Sequence, residues 1–130
     1  MAQPVTVEAS AVVEVLRGGQ LGDRVAEAMH GTELVAPAHL DAEVLSALGR
    51  LARATELAPH AVERSLSRLT RMPIVRYPLT PLLRRAWDLR DNIALRDGLY
   101  IACAEAARSV LITMDARLAR SAPVAVTHIS

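Results

Sequence analysis

The stretch Leu95 to Arg120, LRDGLYIACAEAARSVLITMDARLAR, decides the fold. Its first half, from about Leu95 to Ala107, has no Pro and reads as a helix. Val110-Leu111-Ile112-Thr113 follows as the clearest buried strand of the chain, short, apolar and rich in β-branched residues. Asp115 to Arg120 then reads as a helical turn. A helix feeding a buried strand that feeds another helical turn is the grammar of a parallel sheet with crossover helices.

The flanking sequence repeats that grammar. Val5-Thr6-Val7 is a short β-branched run that leads into a helix over Ser10 to Leu16, stopped by Gly18-Gly19. Gln20 to Met29 fits a second helix, with Leu21, Val25 and Ala28 on one face. Leu34-Val35-Ala36 before Pro37 is a short buried strand. From His39 to about Leu57 the residues Leu40, Val44, Leu48 and Leu51 form one apolar stripe at helical spacing. Pro59 begins another helix, which Met72-Pro73 ends. Ile74 to Tyr77 is a strand, and Pro81 opens a helix carrying Leu82, Leu83, Ala86, Trp87 and Leu89. Asp91-Asn92 punctuate, and Ala125 to Ile129 is a last strand. The expected architecture is α/β: a three-layer α/β/α sandwich around a short, mostly parallel sheet, one domain over residues 1–130.

Composition narrows the function. The 130 residues are 52% hydrophobic and 22% charged, a globular balance. Aromatics make up 2%, with no Phe, which leaves little for base-stacking platforms of the single-strand-binding type. Net charge is +1, too small for nucleic-acid binding driven by bulk charge. All 15 basic residues are Arg. The absence of Lys excludes Walker A loops, Schiff bases and receiver-type phosphate clamps. One cysteine, Cys103, allows no internal disulfide and no thiol-based zinc site. No signal peptide and no spanning apolar run is legible, so a cytosolic protein without a membrane partner is expected.

In open parallel sheets ligands bind beyond the C-terminal strand ends. Glu8 follows the first strand and Asp115 follows the clearest one. Two further acids occupy rows that otherwise face inward: Glu43, beside the stripe of its helix, and Asp97, four residues from both Ile93 and Ile101. An unpaired buried carboxylate is costly or titrates to neutral, so a cation or cationic side chain is expected between them. Each acid also has a plainer reading. Asp115 can cap its helical turn, Asp97 can favour a first-turn dipole, Glu8 can be an exposed loop acid, and Glu43 can pair with an Arg such as Arg50 or flank the stripe in solvent. Four such acids around one crevice, with no His or Cys arrangement, suit Mg2+ or Mn2+ and a phosphodiester substrate.

Four segments resemble PIN-domain ribonucleases, specifically the VapC toxins of bacterial toxin–antitoxin pairs. They are V-T-V-E-A-S-A-V-V-E-V-L around Glu8, A-P-A-H-L-D-A-E-V-L-S-A-L around Glu43, R-D-G-L-Y-I-A-C-A-E-A around Asp97, and L-I-T-M-D-A-R-L-A around Thr113 and Asp115. They come in order and at the family's spacing, and span nearly the whole chain. The resemblance implies a metal-dependent endoribonuclease with Glu8, Glu43, Asp97 and Asp115 as catalytic and Mg2+ or Mn2+ ligands. It also implies homodimerisation and inhibition by a VapB-like antitoxin. The family's first acid is Asp, in the form V-D-A-S, where this chain has Glu8. The alternative is therefore a degenerate scaffold that acts mainly through protein partners.

Smaller signals complete the expectation. Ser10 is an N-cap, a site residue, or both, and Thr113 can orient a ligand or water. Arg90 and Arg96 flank the Asp97 segment as candidate holders of RNA phosphates. Trp87 reads as core or interface packing, and the four His as surface or loop residues. Gly18 to Gly22 reads as a turn rather than a dinucleotide loop.

Overall fold

The computed structural model describes residues 2–130. Its sheet has five strands, all parallel: β1 (Pro4–Val7), β2 (Glu33–Pro37), β3 (Ile74–Tyr77), β4 (Val110–Thr113) and β5 (Val126–His128). The spatial order is β3-β2-β1-β4-β5. Seven helices connect them: α1 (Ala9–Arg17), α2 (Gln20–Met29), α3 (Leu40–Arg53), α4 (Pro59–Arg71), α5 (Leu83–Asp88), α6 (Leu95–Ala107) and α7 (Ala116–Ser121). Right-handed crossovers put α1 to α4 on one face, because β1, β2 and β3 step one way across the sheet. The chain then returns past β1 to β4 and β5, so α5 to α7 cover the other face. The expected sandwich is present.

The inner strands β1, β2 and β4 are buried, as parallel strands between helix layers must be, while the edge strands β3 and β5 are only partly covered. Leu34 and Ala36 of β2 join the larger apolar cluster, with Val12 of α1, Val25 of α2 and Leu40, Val44 and Leu48 of α3. Val35, of opposite parity, joins a smaller one with Leu82, Ala86, Leu99 and Cys103. Gly98 is fixed by this second layer. A Cβ there would lie 3.1 Å from the Ala86 Cα, so Gly at that position lets α6 approach α5 by a few tenths of an ångström more than a larger residue would. Gly18 and Gly19, at φ 79° and 98°, make the break between α1 and α2 that the sequence predicts.

Several boundaries shift from expectation for identifiable reasons. α3 ends at Arg53 rather than near Leu57, where Thr55 adopts a left-handed φ of 58°. The helix expected at Pro81 begins as a 3-10 turn over Thr80–Leu82 and becomes α5 only at Leu83. Trp87 is not core: it is 53% exposed, and its ring carries the Arg90 guanidinium 4.3 Å from the centroid. Ser10 is not the N-cap of α1. Glu8 takes that place, its carboxylate accepting from the Ser10 N–H.

Candidate active site

Strand order fixes where a ligand can enter. Connections leave β1 toward β2 and enter β4 on its other side, so the crossovers diverge between these neighbours. This is the topological switch point of a doubly wound sheet, and the crevice beyond it is the preferred binding place. Glu8 immediately follows β1. Asp115 stands two residues beyond β4, as the N-cap of α7. α3 and α6 bring Glu43 and Asp97 to the same crevice, each in the first turn of its helix.

The four acids converge on Asp97. Glu8, Ser10, Glu43, Asp97 and Arg96 line one cleft of about 500 Å³. Asp97, Asp115 and Arg90 line a second hollow of about 350 Å³. Burial raises the Asp97 carboxyl to about 6, aided by the charges of Glu8, Asp115 and Glu43 and opposed by Arg96. Arg96 is 80% exposed and reaches Glu43 Oε2 at 3.7 Å, too loosely to neutralise four acids.

The other three carboxylates are held by protein donors. Glu8 is buried, with 8% of its surface accessible. Its Oε1 accepts from Thr113 Oγ1 at 2.6 Å and from the Ser10 hydroxyl, and its Oε2 accepts from the Ser10 N–H at 3.0 Å. Ser10 Oγ in turn accepts from Met114 N–H at 3.0 Å, and Thr113 Oγ1 accepts from Asp115 N–H at 3.0 Å. This network laces the end of β1 to the end of β4. Asp115 Oδ1 caps Leu118 N–H at 3.0 Å, so it has the capping role while facing the crevice. The exposed-loop reading of Glu8 does not hold, and Glu43 pairs with residues other than Arg50.

Glu43 is braced by two residues that the sequence did not single out. The buried Tyr100 hydroxyl donates to Glu43 Oε1 at 2.6 Å. Burial and the Glu43 carboxylate drive the phenol pKa far up, so Tyr100 stays a donor. His39 packs its ring 4.8 Å from that of Tyr100 and sets Nε2 3.0 Å from the Arg96 carbonyl and 3.5 Å from Glu43 Oε1. A carbonyl only accepts, so Nε2 carries the hydrogen. His39 therefore ties the start of α3 to the start of α6, and is not the surface residue that its spacing suggests. The signal for Tyr100 was its place one turn after Asp97, on the same row of α6.

An all-oxygen, anionic donor set, in which only Asp115 is exposed, fits a hard divalent cation. Asp97 accepts no hydrogen bond from the described residues, and Glu43 Oε2 and Asp115 Oδ2 are also free of hydrogen bonds. Among the described residues, no three His, Cys, Asp or Glu side chains are gathered closely enough to enclose an ion as they stand. A cation would therefore draw the carboxylates inward against their repulsion.

A doubly wound parallel sheet with acids gathered at its switch point defines the class, and comparison with known proteins gives the family. The profile of the PIN domain matches residues 5–122, and the chain belongs to the PIN domain family. It is 45% identical over 124 residues to ribonuclease VapC3 of Mycobacterium tuberculosis, an alignment covering 95% of this chain and 90% of that protein. It is 35% identical over 117 residues to ribonuclease VapC12 of the same organism, covering 90% and 91%. A toxin–antitoxin complex from Klebsiella pneumoniae superposes with a TM-score of 0.70 at 18% identity, covering 95% of this chain and 96% of that one. FitAcB from Neisseria gonorrhoeae gives 0.70 at 20% identity, with the same coverage. At those identities the structural likeness is one of fold. Among the described residues, no helix is long and apolar enough to cross a membrane.

Proposed function

We propose that the chain is a Mg2+- or Mn2+-dependent endoribonuclease of the VapC type, restrained by a VapB-like antitoxin and acting in the cytoplasm. One observation carries the reading: Asp97 stands half-buried and without a hydrogen bond among three other carboxylates. The names of the relatives support the substrate class, and the toxin–antitoxin neighbours support the partner.

In this reading Asp97, Asp115, Glu43 and Glu8 hold the cation. A hydrogen-bonded carboxylate oxygen keeps a second lone pair for it. When bound, the cation supplies Lewis-acid stabilisation of charge developing on the phosphodiester. Thr113 and Ser10 hold Glu8 in place, Tyr100 and His39 hold Glu43, and Arg96 is free to swing toward a phosphate. The test is cleavage of a structured RNA pool with Mg2+, with Mn2+ and with chelator. Cleavage that survives chelation rejects the metal role. No cleavage, with a partner protein still bound, favours the degenerate scaffold.

Residues that brace metal ligands tune affinity, and losing one commonly costs ten- to a hundredfold. Tyr100→Phe deletes one hydroxyl and keeps the ring. It is expected to weaken Mn2+ binding about tenfold, measured by calorimetric titration, and to cost about 1–2 kcal/mol of stability. Unchanged Mn2+ affinity would mean that Tyr100 only packs.

Self-association is the other expected partnership. Leu83 and Trp87 of α5 and Leu95 at the start of α6 are each more than half exposed, unusual for large apolar side chains in a chain with so few aromatics. A homodimer through this region is expected. Light scattering at tens of micromolar checks it, and Trp87→Glu is expected to give the monomer mass.

A further inference from the structure

An enzyme that cuts inside a strand must hold nucleotides on both sides of the bond it breaks. The cleft and the hollow at the site share one lining residue, Asp97. They therefore lead away from the acids as two arms. The first passes between α1 and α3 to Arg17 and Arg50. The second passes along the start of α7 to Arg117, beside Arg90.

Helix spacing gives the first arm its length. Arg50 lies seven residues after Glu43 on α3, and Arg17 seven after Ser10 on α1. Seven residues are about two turns and about 10 Å on the same helical face. Both helices therefore carry an acid-end group near the crevice and a guanidinium farther along one wall. Val13, Ala47 and Leu51 form an apolar floor between them. In the second arm Arg117 stands two residues beyond Asp115.

Arg50 and Arg117 are exposed and enter no ion pair among the described residues. Arg17 is only loosely paired with Glu14, at 3.4 Å. Arg90 is committed to Trp87 through its ring and its carbonyl. Glu14 and Glu56 on the first arm and Asp91 on the second keep either arm from being uniformly basic. That pattern suits a few placed phosphate contacts rather than a broad polyanion surface.

We infer that the two arms form a continuous path for single-stranded RNA across Asp97, with Arg50 and Arg17 holding backbone phosphate on one side of the cleaved bond and Arg117 on the other. The inference rests on the ribonuclease reading and assigns the substrate's route through that site. Arms of 500 and 350 Å³ are the size of small-molecule pockets, which fits an unpaired strand rather than a duplex.

The test uses the intact protein and oligoribonucleotides centred on a cleavage site mapped in total RNA. Four substrates are compared: short flanks, a 5′ extension, a 3′ extension, and both. For the parent, each extension is expected to lower KM severalfold. Arg50→Ala is expected to abolish the benefit of one extension and Arg117→Ala that of the other, with kcat on the short substrate within about twofold of the parent. Each is also expected to reduce the salt dependence of RNA binding by a slope of about 0.7, the value for one phosphate contact on a single strand. If both variants lose the same extension, or neither loses any, the two-arm path is wrong. Parent-like KM values in Arg50→Ala together with weakened binding of a partner protein would assign the larger cleft to that protein and overturn the inference. A parent that neither cuts nor binds RNA would strike the ribonuclease reading itself.

Discussion

Asp97→Asn is expected to lower RNA cleavage by about a hundredfold or more and, at the same time, to raise the melting temperature of the metal-free protein. The two effects share one cause. With its carboxyl at about 6 against an ordinary 3.8, folded Asp97 holds its proton more tightly than unfolded Asp97 does. The sign follows from linkage: the contribution of Asp97 to stability is most favourable near and below pH 4, falls as pH rises from about 4 to 6, and stays reduced above. Asp97 is only half-buried, so the penalty at neutral pH, discounted for solvent screening, is about 1–2 kcal/mol. Asn removes that charge, and thermal melts in chelator should show a higher melting temperature near pH 7 with less decline across the window. Millimolar Mg2+ should raise the parent's melting temperature by mass action and the variant's by much less. A variant less stable in chelator, with an undiminished Mg2+ response, would make Asp97 a helix-dipole residue and nothing more.

Glu8→Asp is expected to cleave RNA at least about tenfold faster than the parent chain in Mg2+ or Mn2+. The parent's carboxylate reaches past the end of β1 to the Thr113 hydroxyl and turns back to cap α1. Asp is itself a favoured N-cap, so the shorter arm keeps the cap. It draws the carboxylate back by about one C–C bond, toward the position that the family's V-D-A-S form implies. Near-octahedral cations tolerate little ligand displacement, and misplacement by about 1 Å can cost about a hundredfold. Losing one methylene beside a polar crevice should change stability by about 1 kcal/mol or less. Glu8→Ala should be the slowest of the three, because it removes the ligand and leaves the Thr113 hydroxyl without its acceptor. Equal rates for Glu8→Asp and the parent would mean that Glu8 already reaches its place. Equal rates for all three would end its role at the cation.

Much of this site could be read in the sequence because period and position carry the information. The bounds of Gln20–Met29, Ile74–Tyr77, Leu95–Ala107 and Val110–Thr113 were legible, since Pro, Gly and β-branched runs punctuate them. Glu43 and Asp97 stood out because an acid on an inward-facing row has few places to go. What periodicity cannot give is the partner. Tyr100 and Glu43 are 57 residues apart in sequence, and only the packing of α6 against the start of α3 makes them neighbours. His39 lacked metal spacing and so looked peripheral, although its burial depends on Tyr100 and the Arg96 carbonyl. Glu8 as a buried N-cap was hidden because Ser10, a better capping residue by propensity, stands two positions on. Trp87 lies on an apolar row but at a layer's rim, where the row runs out into solvent.

The central place of β1, with β2 on one side and β4 on the other, sets an order on biosynthesis. A chain leaving the ribosome N-terminus first can pair β1 with β2 and β2 with β3, and wrap α1 to α4 over them, while β4 is still unmade. Until Val110 to Thr113 arrives, one edge of β1 is bare, Glu8 lacks its Thr113 donor, and Asp115 does not exist. Three of the four acids have been translated, but the crevice has only one wall. Such an intermediate presents an open strand edge, a template for pairing with another chain. Products of premature termination should therefore be inert, and a ribosome decoding this message should finish nearly the whole chain before the four acids stand together.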